Sequence, residues 1–387
     1  MGKRQSAVEG MEVKAMMFRA FNNLYKDKTV LVTGHTGFKG SWLTLWLISL
    51  GARVVGYSAY LPSNPCNFEV LDLQECITHI EGDIRDISRL AEVFIEYKPD
   101  MVFHLAAQAL TRRSYDMPQE TFLTNLGGTV NVLECIRKSE TIKAAVIITS
   151  DKCYQNVEWV WGYRESDRLG GDDPYSASKA CAEIATHSYI KSFFFKKNSP
   201  LISTARAGNV IGGGDWAVDR IVPDCVRAFS EGRELTIRSP KATRPWQHVL
   251  EPLSGYLWLG TNLLENNENV VRESFNFGPL SDVIRTVEEL IKDFSGIWGK
   301  GKWNVVNEKG HGKKEATLLS LNCDKALHLL DWHATLSFEK TVEMTASWYK
   351  AFYAGEKDMY NFTVNQIKGY AELARNQGLL WTKGAGQ

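Results

Sequence analysis

Short apolar runs alternate with longer segments of helical periodicity along the first half of this chain. The apolar runs that predict strands are residues 28–33, 53–57, 76–80, 101–106, 144–149 and 201–206. The segments that predict helices between them are residues 41–50, 88–97, 118–138 and a stretch that begins at Pro174. Strands that alternate with helices at this spacing indicate βαβ units. The predicted fold class is therefore α/β, with a Rossmann-type doubly wound parallel sheet.

The regular alternation ends after residue 206. The following residues are rich in glycine, arginine and tryptophan, which predicts a second, smaller domain of mixed α/β structure. A predicted helix over residues 247–264 and a predicted strand over residues 274–277 indicate that the chain returns to the sheet around residues 243–278.

These patterns divide the chain into four parts. The parts are an N-terminal extension at 1–27, a dinucleotide-binding domain at 28–206, a C-terminal substrate-binding domain at 207–242 and 279–350, and a helical, polar tail at 351–387. Within the extension, residues 18–25 are expected to pack onto the main domain because several of them are aromatic.

Composition and charge exclude several functional classes. The chain has 45 Lys+Arg and 45 Asp+Glu, so no net field attracts nucleic acid or an anionic membrane. Its seven cysteines contain no C-x-x-C pair and its eight histidines are scattered, which predicts a reducing compartment, no disulfide framework and no metal site. The longest apolar stretch, around residues 43–50, is too short to span a bilayer, and residues 1–27 lack a secretory signal. We therefore expect a cytoplasmic protein.

A glycine-rich loop joins the first predicted strand to the first predicted helix. Gly34, Gly37 and Gly40 follow the spacing G-x-x-G-x-x-G. Glycine lets a phosphate approach the backbone, and the N-terminus of the following helix favours its charge, so this arrangement predicts a dinucleotide site. The acid that usually binds the adenosine ribose is missing after the second strand, where residues 56–58 read Gly-Tyr-Ser. The choice between NAD and NADP is therefore weakly marked.

A phenol and an ammonium lie four residues apart at the predicted helix that begins at Pro174. Tyr175 and Lys179 share one face of that helix, and the ammonium is expected to lower the pKa of the phenol. A phenol tuned in this way takes a proton from a sugar hydroxyl near neutral pH. The spacing alone is weak evidence, because Tyr353 and Lys357 repeat it without supporting context, and an ordinary helix face is the alternative.

Polar residues also follow the fifth predicted strand, at positions 150–154. Ligands of parallel sheets bind beyond the carboxyl ends of the strands, so this cluster and Tyr175 are expected to meet in one crevice. Further along, the arginines that suit a diphosphate, or alternatively are solvated surface groups, are Arg220, Arg227, Arg238 and Arg244.

Seven sequence blocks occur in order along the chain. They are VTGHTGFKGSWL, HLAAQ, ITSDKCYQN, EWVWGYRE, DPYSASK, RAGNVIGGGDWA and RPWQHVLEPLSGY. Together they resemble the extended short-chain dehydrogenase/reductase superfamily of nucleotide-sugar dehydratases and epimerases, over residues 28 to about 349. Asp151-Lys152 stands where the relatives that act on dTDP-glucose have Asp-Glu, so the chain resembles the branch of 4,6-dehydratases that acts on CDP-glucose.

The resemblance implies a set of site residues. Those expected to bind the cofactor NAD are Gly34, Thr36, Gly37, Phe38, Gly40, Asp83, Ile84, Ala106, Ala107, Gln108, Asn125, Tyr175 and Lys179. Those expected to bind the nucleotide sugar are Asn209, Arg220, Arg244 and Trp161. Those expected to carry the chemistry are Ser150, Asp151, Lys152, Tyr175 and Lys179, with no metal.

The resemblance also implies an activity and an assembly. The reaction would be conversion of CDP-D-glucose to CDP-4-dehydro-6-deoxy-D-glucose and water, with NAD held tightly, Asp151 as acid and Lys152 as base. In the alternative, Lys152 only pairs with Asp151. Rival functions are another sugar dehydratase acting on dTDP-glucose or GDP-mannose, a UDP-sugar 4-epimerase, and a cofactor-sensing regulator without catalysis. The helices at 118–138 and 174–196 would join copies into a homodimer or homotetramer.

Overall fold

A computed structural model describes residues 19–237, 239–279, 284–299, 301–305 and 319–384. Arg238 and residues 1–18 of the predicted extension lie outside this range, as do residues 280–283 and 306–318 of the predicted substrate-binding domain.

The centre of the fold is a seven-stranded sheet in which every neighbouring pair is parallel. Its strands are β1 (Thr29–Thr33), β2 (Arg53–Ser58), β3 (Thr78–Glu81), β4 (Met101–His104), β5 (Ala144–Ile148), β6 (Leu201–Arg206) and β11 (Ser274–Asn276). The order across the sheet is β11-β6-β5-β4-β1-β2-β3, so the direction of winding reverses between β1 and β4. This is a doubly wound sheet with its crevice at that reversal, which confirms the predicted fold class.

Helices cover the sheet and the crevice. They are α1 (Phe38–Ser49), α2 (Asn67–Val70), α3 (Ile87–Tyr97), α4 (Thr111–Asp116), α5 (Pro118–Phe122), α6 (Gly128–Lys138), α7 (Pro174–Phe193), α8 (Ile221–Ser230), α9 (Leu250–Leu264), α10 (Val287–Trp298), α11 (Asp324–Leu330), α12 (Phe338–Tyr353) and α13 (Met359–Asn376). Helix α7 begins as predicted, because the Asp173 side chain accepts a hydrogen bond from Ser176 N at 2.9 Å and Pro174 occupies the first turn.

Two predicted helices differ from the structure. The helix predicted over residues 118–138 is interrupted by a π turn at Leu123–Gly127, which contains the buried Asn125. Such a turn holds one extra residue, and here it points Asn125 at groups outside the helix. The helix predicted over residues 247–264 begins only at Leu250, because β10 (Gln247–His248) pairs with β7 (Val210–Ile211). Its first three residues were therefore wrongly predicted.

The region after β6 also forms two further small sheets. Strand β9 (Thr243–Pro245) pairs antiparallel with β12 (Ile284–Thr286), and β8 (Glu234–Ile237) pairs in parallel with β13 (Lys302–Val305). These short strands and α8, α10 and α12 make a mixed α/β unit beside the carboxyl ends of the main sheet.

Both ends of the described chain pack behind helix α1. Phe21 is fully buried and stacks on Trp381 with ring centroids 5.1 Å apart, and Trp46 of α1 lies 5.7 Å from Phe21. Tyr25 donates a hydrogen bond to the carbonyl of Leu257 at 2.6 Å. Residues 19–25 thus pack onto the main domain.

The tail contains helix α13, and one face of this helix joins the core. Ile367 and Tyr370 of α13 are fully buried, and Tyr370 stacks on Trp381. The sequence pattern offered little indication of this contact, because polar residues fill the rest of the helix.

All seven cysteines are free thiols. Among the described residues, no helix is long and apolar enough to cross a membrane.

We expect Trp381→Ala to lower the free energy of unfolding by about 3–5 kcal/mol, because it empties a fully buried aromatic site. The control is Leu380→Ala in the same turn, at a side chain that is 38% exposed, and it should change stability by about 0.5 kcal/mol or less. Chemical denaturation of the two variants measures both values. Equal stabilities would show that the C-terminal turn is not part of the core.

Candidate active site

The glycine loop after β1 is shaped by contacts that leave no room for side chains. Gly34 has φ +77°, and a Cβ there would lie 2.7 Å from the backbone nitrogen of Ala106. A Cβ at Gly40 would lie 2.1 Å from the carbonyl oxygen of Gly34. The loop is therefore pressed against the end of β4 and the start of α1. Gly37 caps α1 without a side-chain hydrogen bond to its first turn, so those N–H groups face outward as donors for an anion.

The second strand ends in a buried polar chain where a ribose-binding acid is absent. Ser58 Oγ lies 3.0 Å from His35 Nδ1, and His35 Nε2 lies 2.7 Å from His79 Nδ1. Burial lowers the pKa of His35 to about 3, so its imidazole is neutral. Thr36 is held in the same place, because its N–H donates to Ser58 and its hydroxyl donates to the carbonyl of Tyr60 at 2.8 Å.

The predicted adenine contacts lie at the far side of the crevice. The Asp83 carboxylate accepts hydrogen bonds from Arg85 Nε at 2.9 and 3.0 Å, and this side-chain contact lowers the pKa of Asp83. Ile84 packs so closely on Gly128 that a Cβ at that glycine would lie 2.3 Å from it. The structure thus places Asp83 and Ile84 at the same edge of the crevice. Their contact with adenine stays a prediction.

The end of β4 is held by Asn125. Its amide oxygen accepts from Gln108 N at 2.8 Å, and its amide nitrogen donates to Gln108 O and to Ser178 Oγ. The side chain of Gln108 is likewise occupied, by Leu110 and by Thr121. Asn125 and Gln108 therefore position the Ala106-Ala107 wall of the crevice against α7, and their side chains are already satisfied within the protein.

A short 3₁₀ turn, Asp151–Cys153, carries the polar cluster after β5. Ser150 Oγ donates to the buried carboxylate of Asp151 at 2.8 Å, and the same oxygen accepts from Lys152 N. A Cβ at Gly208 would lie 1.9 Å from Asp151 Oδ2, so the Gly208 loop closes over this carboxylate. Among the described residues, the Lys152 ammonium forms no ion pair, which is against the alternative in which it only pairs with Asp151.

Tyr175 and Lys179 both lie on the buried face of α7 and point at this turn. The fractional exposure is 8% for Tyr175 and 6% for Lys179, and Lys179 Nζ lies 3.5 Å from the carbonyl of Ile148. The prediction of a lowered phenol pKa is wrong for these residues alone. Burial raises the pKa of Tyr175 to about 12, and the negative charge of Asp151 adds to this, although the Ser150 side chain and Arg220 oppose it.

Burial also acts on the ammonium of Lys179. It lowers the pKa of Lys179 to about 8, while the charge of Glu183 opposes the shift. The ammonium is therefore present below about pH 8 and is lost above it.

Two groups that sequence reasoning missed lie beside these residues. Lys39 of the glycine loop places its ammonium 3.5 Å from the hydroxyl of Tyr256 and interacts electrostatically with Asp151 and Lys179. Burial lowers the pKa of Lys39 to about 8. The signal for Lys39 was its position inside the glycine motif. Tyr256 lies in the last sequence block, where nothing marked it.

Arg220 also faces the cluster formed by Ser150, Asp151 and Tyr175. Its guanidinium donates to the buried carboxylate of Asp215 at 2.8 Å, and its charge acts on Tyr175 and on Lys39. The positive groups Lys39, Lys179 and Arg220 thus surround Tyr175 and Asp151. An anionic ligand fits this field better than a neutral one.

The other residues predicted to bind substrate are more dispersed. Asn209 has a left-handed backbone, and its carbonyl accepts from Gln247 N at 3.3 Å. Arg244 lies on β9 and donates to the carbonyl of Thr243. Trp161 is 69% exposed and contacts Trp159 edge to face, and Arg227 binds Asp224 and the carbonyl of Trp216. The structure does not gather these side chains around one point.

The loop geometry fits a dinucleotide cofactor. Side chains are excluded at Gly34 and Gly40, uncapped N–H groups begin α1, and the positively charged Lys39 lies beside them. These are the groups that a diphosphate needs. Within the described residues, no cluster of three or more His, Cys, Asp or Glu has the geometry to hold a metal ion.

A doubly wound sheet, a glycine loop after β1, Ser150 after β5 and a Tyr175/Lys179 pair on the next helix define the short-chain dehydrogenase/reductase class, in its extended form. The family profile described as GDP-mannose 4,6 dehydratase matches residues 31–345. The chain therefore belongs to the GDP-mannose 4,6-dehydratase family, a group of nucleotide-sugar enzymes.

Comparison with individual proteins agrees with this family. The chain is 45% identical over 352 residues to the CDP-glucose 4,6-dehydratase of Salmonella typhimurium, covering 90% of this chain and 97% of that protein. It is 25% identical to the dTDP-glucose 4,6-dehydratase of Xanthomonas campestris, covering 83% and 93% of the two chains.

Among solved structures, the epimerase Mth375 of Methanothermobacter thermautotrophicus is similar with a TM-score of 0.73 and 25% identity, covering 90% of this chain and 96% of that one. The dTDP-glucose 4,6-dehydratase of Bacillus anthracis, in complex with NAD, is similar in fold with a TM-score of 0.70 and 23% identity, covering 87% of this chain and 99% of that one.

Proposed function

We propose that this chain is a lyase that converts CDP-D-glucose to CDP-4-dehydro-6-deoxy-D-glucose and water. The observation that carries the proposal is the cluster of Ser150, Asp151, Tyr175 and Lys179 at the carboxyl end of β5, in a chain 45% identical to a CDP-glucose 4,6-dehydratase. Asp151 matches the Asp-Glu of dTDP-glucose relatives, while Lys152 replaces its glutamate, which favours the CDP-linked substrate.

The cofactor proposed for the glycine loop is NAD, which a related dehydratase of known structure holds. When bound, NAD would supply the hydride chemistry, accepting a hydride from C4 of the sugar and returning it to C6, and its positively charged ring would favour the phenolate of Tyr175. Gly34, Gly37, Phe38 and Gly40 would hold its diphosphate with backbone N–H groups and the α1 N-terminus. Asp83 and Ile84 would face its adenine.

Tyr175 and its neighbours remove the proton of the C4 hydroxyl of the sugar. The Tyr175 phenolate accepts the proton of the C4 hydroxyl, and Ser150 donates a hydrogen bond to the same sugar oxygen. Arg220 supplies positive charge that stabilises the phenolate against the cost of burial, and the Ser150 side chain acts in the same direction. We assign the same role to the Lys179 ammonium, which lies one helical turn from Tyr175 on the same face of α7. Lys179 contributes only as the ammonium, which is present below about pH 8.

Asp151 and Lys152 carry out the loss of water. The new ketone at C4 makes the proton at C5 acidic, and Lys152, as the neutral amine, removes it while Asp151 gives a proton to the departing C6 hydroxyl. Hydride return to C6 would leave an enolate, and the protonated Lys152 then gives a proton back to C5. Asp151 is buried and held by Ser150 and the Gly208 loop, so its carboxyl group has one fixed position. Lys152 is half-buried and its ammonium pairs with no carboxylate in the described residues, which leaves it able to reach the substrate.

Recognition of the nucleotide diphosphate is assigned to Asn209, Arg220 and Arg244, and Trp161 would frame the sugar. The support is the planar charge of the two guanidinium groups and the place of Arg220 at the N-terminus of α8, from which its charge acts on Tyr175.

The substrate assignment is tested with purified protein and a panel of CDP-, dTDP-, GDP- and UDP-hexoses. We expect CDP-glucose to lose one water, seen by mass, and Tyr175→Phe to reduce kcat by about 10²- to 10⁴-fold. The control is Tyr353→Phe, which changes the other tyrosine that has a lysine four residues later and should leave kcat unchanged. Turnover of another nucleotide sugar in preference to CDP-glucose would reject the assignment.

The role of Lys152 has its own test. In deuterium oxide, Lys152→Met should lose incorporation of solvent deuterium at C5 of the product, because the methionine side chain has similar length but no basic nitrogen. Lys143→Met, at an exposed lysine paired with Asp100, is the control and should incorporate deuterium normally. Full incorporation by Lys152→Met would assign the proton at C5 to another group.

We further propose that the enzyme is a homodimer or homotetramer in the cytoplasm, joined through α5, α6 and α7. The support is a pair of exposed apolar side chains, Leu123 in the π turn between α5 and α6, which is 51% exposed, and Ile184 on α7, which is 56% exposed. The seven free thiols suit a reducing compartment.

The assembly is tested by mass in solution. Ile184→Asp should shift the protein towards the monomer, because it places a charge at the proposed contact between copies. The control is Ile95→Asp on α3, at a side chain that is 73% exposed, and it should leave the mass unchanged. An unaltered mass for Ile184→Asp would contradict the interface, and recovery of the protein outside the cytoplasm by cell fractionation would contradict the location.

A further inference from the structure

Glu183 is a buried carboxylate on α7 that the proposed chemistry does not use. Glu183 and Arg206 form an ion pair at 2.9 Å in which the two side chains are only 2% and 3% exposed. Arg206 reaches the carboxylate with two nitrogens, Nε and Nη2, each at 2.9 Å. This is the two-pronged geometry that gives guanidinium–carboxylate pairs their strength and fixed orientation.

Hydroxyl groups complete the surroundings of this carboxylate. Thr149 and Thr204 donate to its two oxygens, and Ser274 Oγ lies 3.3 Å from one of them. These residues come from the ends of β5, β6 and β11. Every contact is made by a donor, so the site accepts only the ionised form of Glu183, and the pKa of Glu183 is held down by Arg206 despite its burial.

The position of Glu183 on α7 connects it to the catalytic pair. Tyr175, Lys179 and Glu183 follow one another at intervals of four residues, so they form a column along the buried face of the helix. Its neighbour Thr149 directly precedes Ser150 in the chain. The carboxylate thus joins the helix that carries Tyr175 and Lys179 to the strand that leads to Ser150 and Asp151.

Stability alone is a weak reason for such a pair. Removing two charges from water costs free energy, and buried ion pairs are often matched in stability by apolar residues of similar size. What an apolar replacement would not supply is a fixed negative charge one helical turn below the Lys179 ammonium.

Several other groups act on Lys179 from the elements packed around it. They are the cationic Lys39 of α1, the neutral His104 of β4 and the thiol of Cys153 in the 3₁₀ turn. Lys39 disfavours the ammonium. Burial disfavours it too, so Glu183 is the permanent negative charge that opposes both.

We propose that Glu183, kept ionised by Arg206, is a positioning residue that holds Lys179 in its ammonium form and fixes α7 against the carboxyl ends of β5 and β6. In its effect on the reaction, this inference rests on the proposed function. The charge of Lys179 in the protein is measurable independently of turnover.

The test is Glu183→Gln, which keeps the shape of the side chain and removes its charge. Removing the negative charge one helical turn from Lys179 should lower the pKa of its ammonium by about one pH unit or more. The alkaline limb of the pH profile, the pH above which kcat/KM falls, should therefore move from near pH 8 to a lower pH by the same amount. Above the original limb, kcat/KM should fall about tenfold for each pH unit by which the limb moves, while the limb at lower pH stays in place.

A second readout does not depend on activity. Competitive labelling with acetic anhydride, read at the peptide containing Lys179 by mass spectrometry, reports the pKa of that amine in the protein without substrate. We expect the labelling midpoint to fall by the same amount in Glu183→Gln. The two proposals fail separately. If the unmodified chain does not turn over CDP-glucose, the proposed function is rejected. If the labelling midpoint of Glu183→Gln is nevertheless lowered, the role of Glu183 towards Lys179 stands.

The matched control is Glu251→Gln. Glu251 is also buried, it accepts hydrogen bonds from Thr335 N, Leu336 N and the Tyr370 hydroxyl, and it is not among the charges that act on Lys179. It should reduce thermal stability without moving the labelling midpoint or the pH limb. If both glutamate variants lose stability and neither moves the midpoint, Glu183 is only a structural residue and the proposal is wrong.

Glu183→Asp provides a variant that keeps the charge if Glu183→Gln does not fold. Its carboxylate is withdrawn from Lys179 by one methylene, so the labelling midpoint should fall by less than about one pH unit and the partnership with Arg206 should persist. A folded Glu183→Asp protein whose labelling midpoint falls by about one pH unit or more would overturn the proposal, because the retained charge would then have no effect on Lys179.

Discussion

The contact between Glu183 and Arg206 is the interaction on which the geometry of the crevice depends. It joins helix α7 to β6, and through Thr149 and Ser274 it includes β5 and β11 as well. Arg206 extends the connection further, because it donates to the hydroxyl of Tyr154 at 2.7 Å and lies over the ring of the same residue. One fully buried ion pair therefore sets the distance between the helix that bears the phenol and the turn that bears the acid.

The electrostatics of the crevice follow from burial within that frame. Tyr175 is uncharged at neutral pH, with a pKa of about 12, while Lys39 and Lys179 have pKa values of about 8. At neutral pH, Tyr175 therefore keeps its proton, while Lys39 and Lys179 are close to losing theirs. The residues of the protein alone do not establish the protonation states that proton transfer needs. Ligand charge has to complete it. A cationic ring beside Tyr175 moves the phenol pKa down, and an anionic diphosphate beside Lys39 moves the ammonium pKa up. The protein and its two ligands thus share control of the protonation states.

Sequence periodicity was sufficient for the sheet. All seven parallel strands lie within two residues of their predicted bounds, because each is a short run between turns. The helix repeat placed Tyr175 and Lys179 on one face of α7, but Tyr353 and Lys357 share that spacing, so singling out the first pair needed the surrounding sequence blocks as well. What sequence reasoning missed are contacts between different segments, namely the approach of Lys39 to Tyr256 and the ion pair of Arg206 with Glu183, and also the pairing of Arg220 with Asp215 within one irregular loop. Nothing local to these residues distinguishes them from solvated charges, since only the fold brings their partners together. The π turn at Asn125 escaped prediction for the same reason, because it is stabilised by Gln108 and Ser178 outside its own helix.

The two ends of the described chain contact helix α1 on the side opposite the site. Helix α1 presents its N-terminus to the glycine loop, and its opposite side carries Trp46 against Phe21 and Trp381. Trp42 of the same helix donates to the carbonyl of Gly213 at 2.8 Å, which connects α1 to the loop that closes over Asp151. A helix held at its back by aromatic packing and at its side by this hydrogen bond has little freedom to tilt. The direction in which its first N–H groups point is therefore set by residues far from the crevice, which gives the terminal segments a physical reason to belong to the catalytic domain.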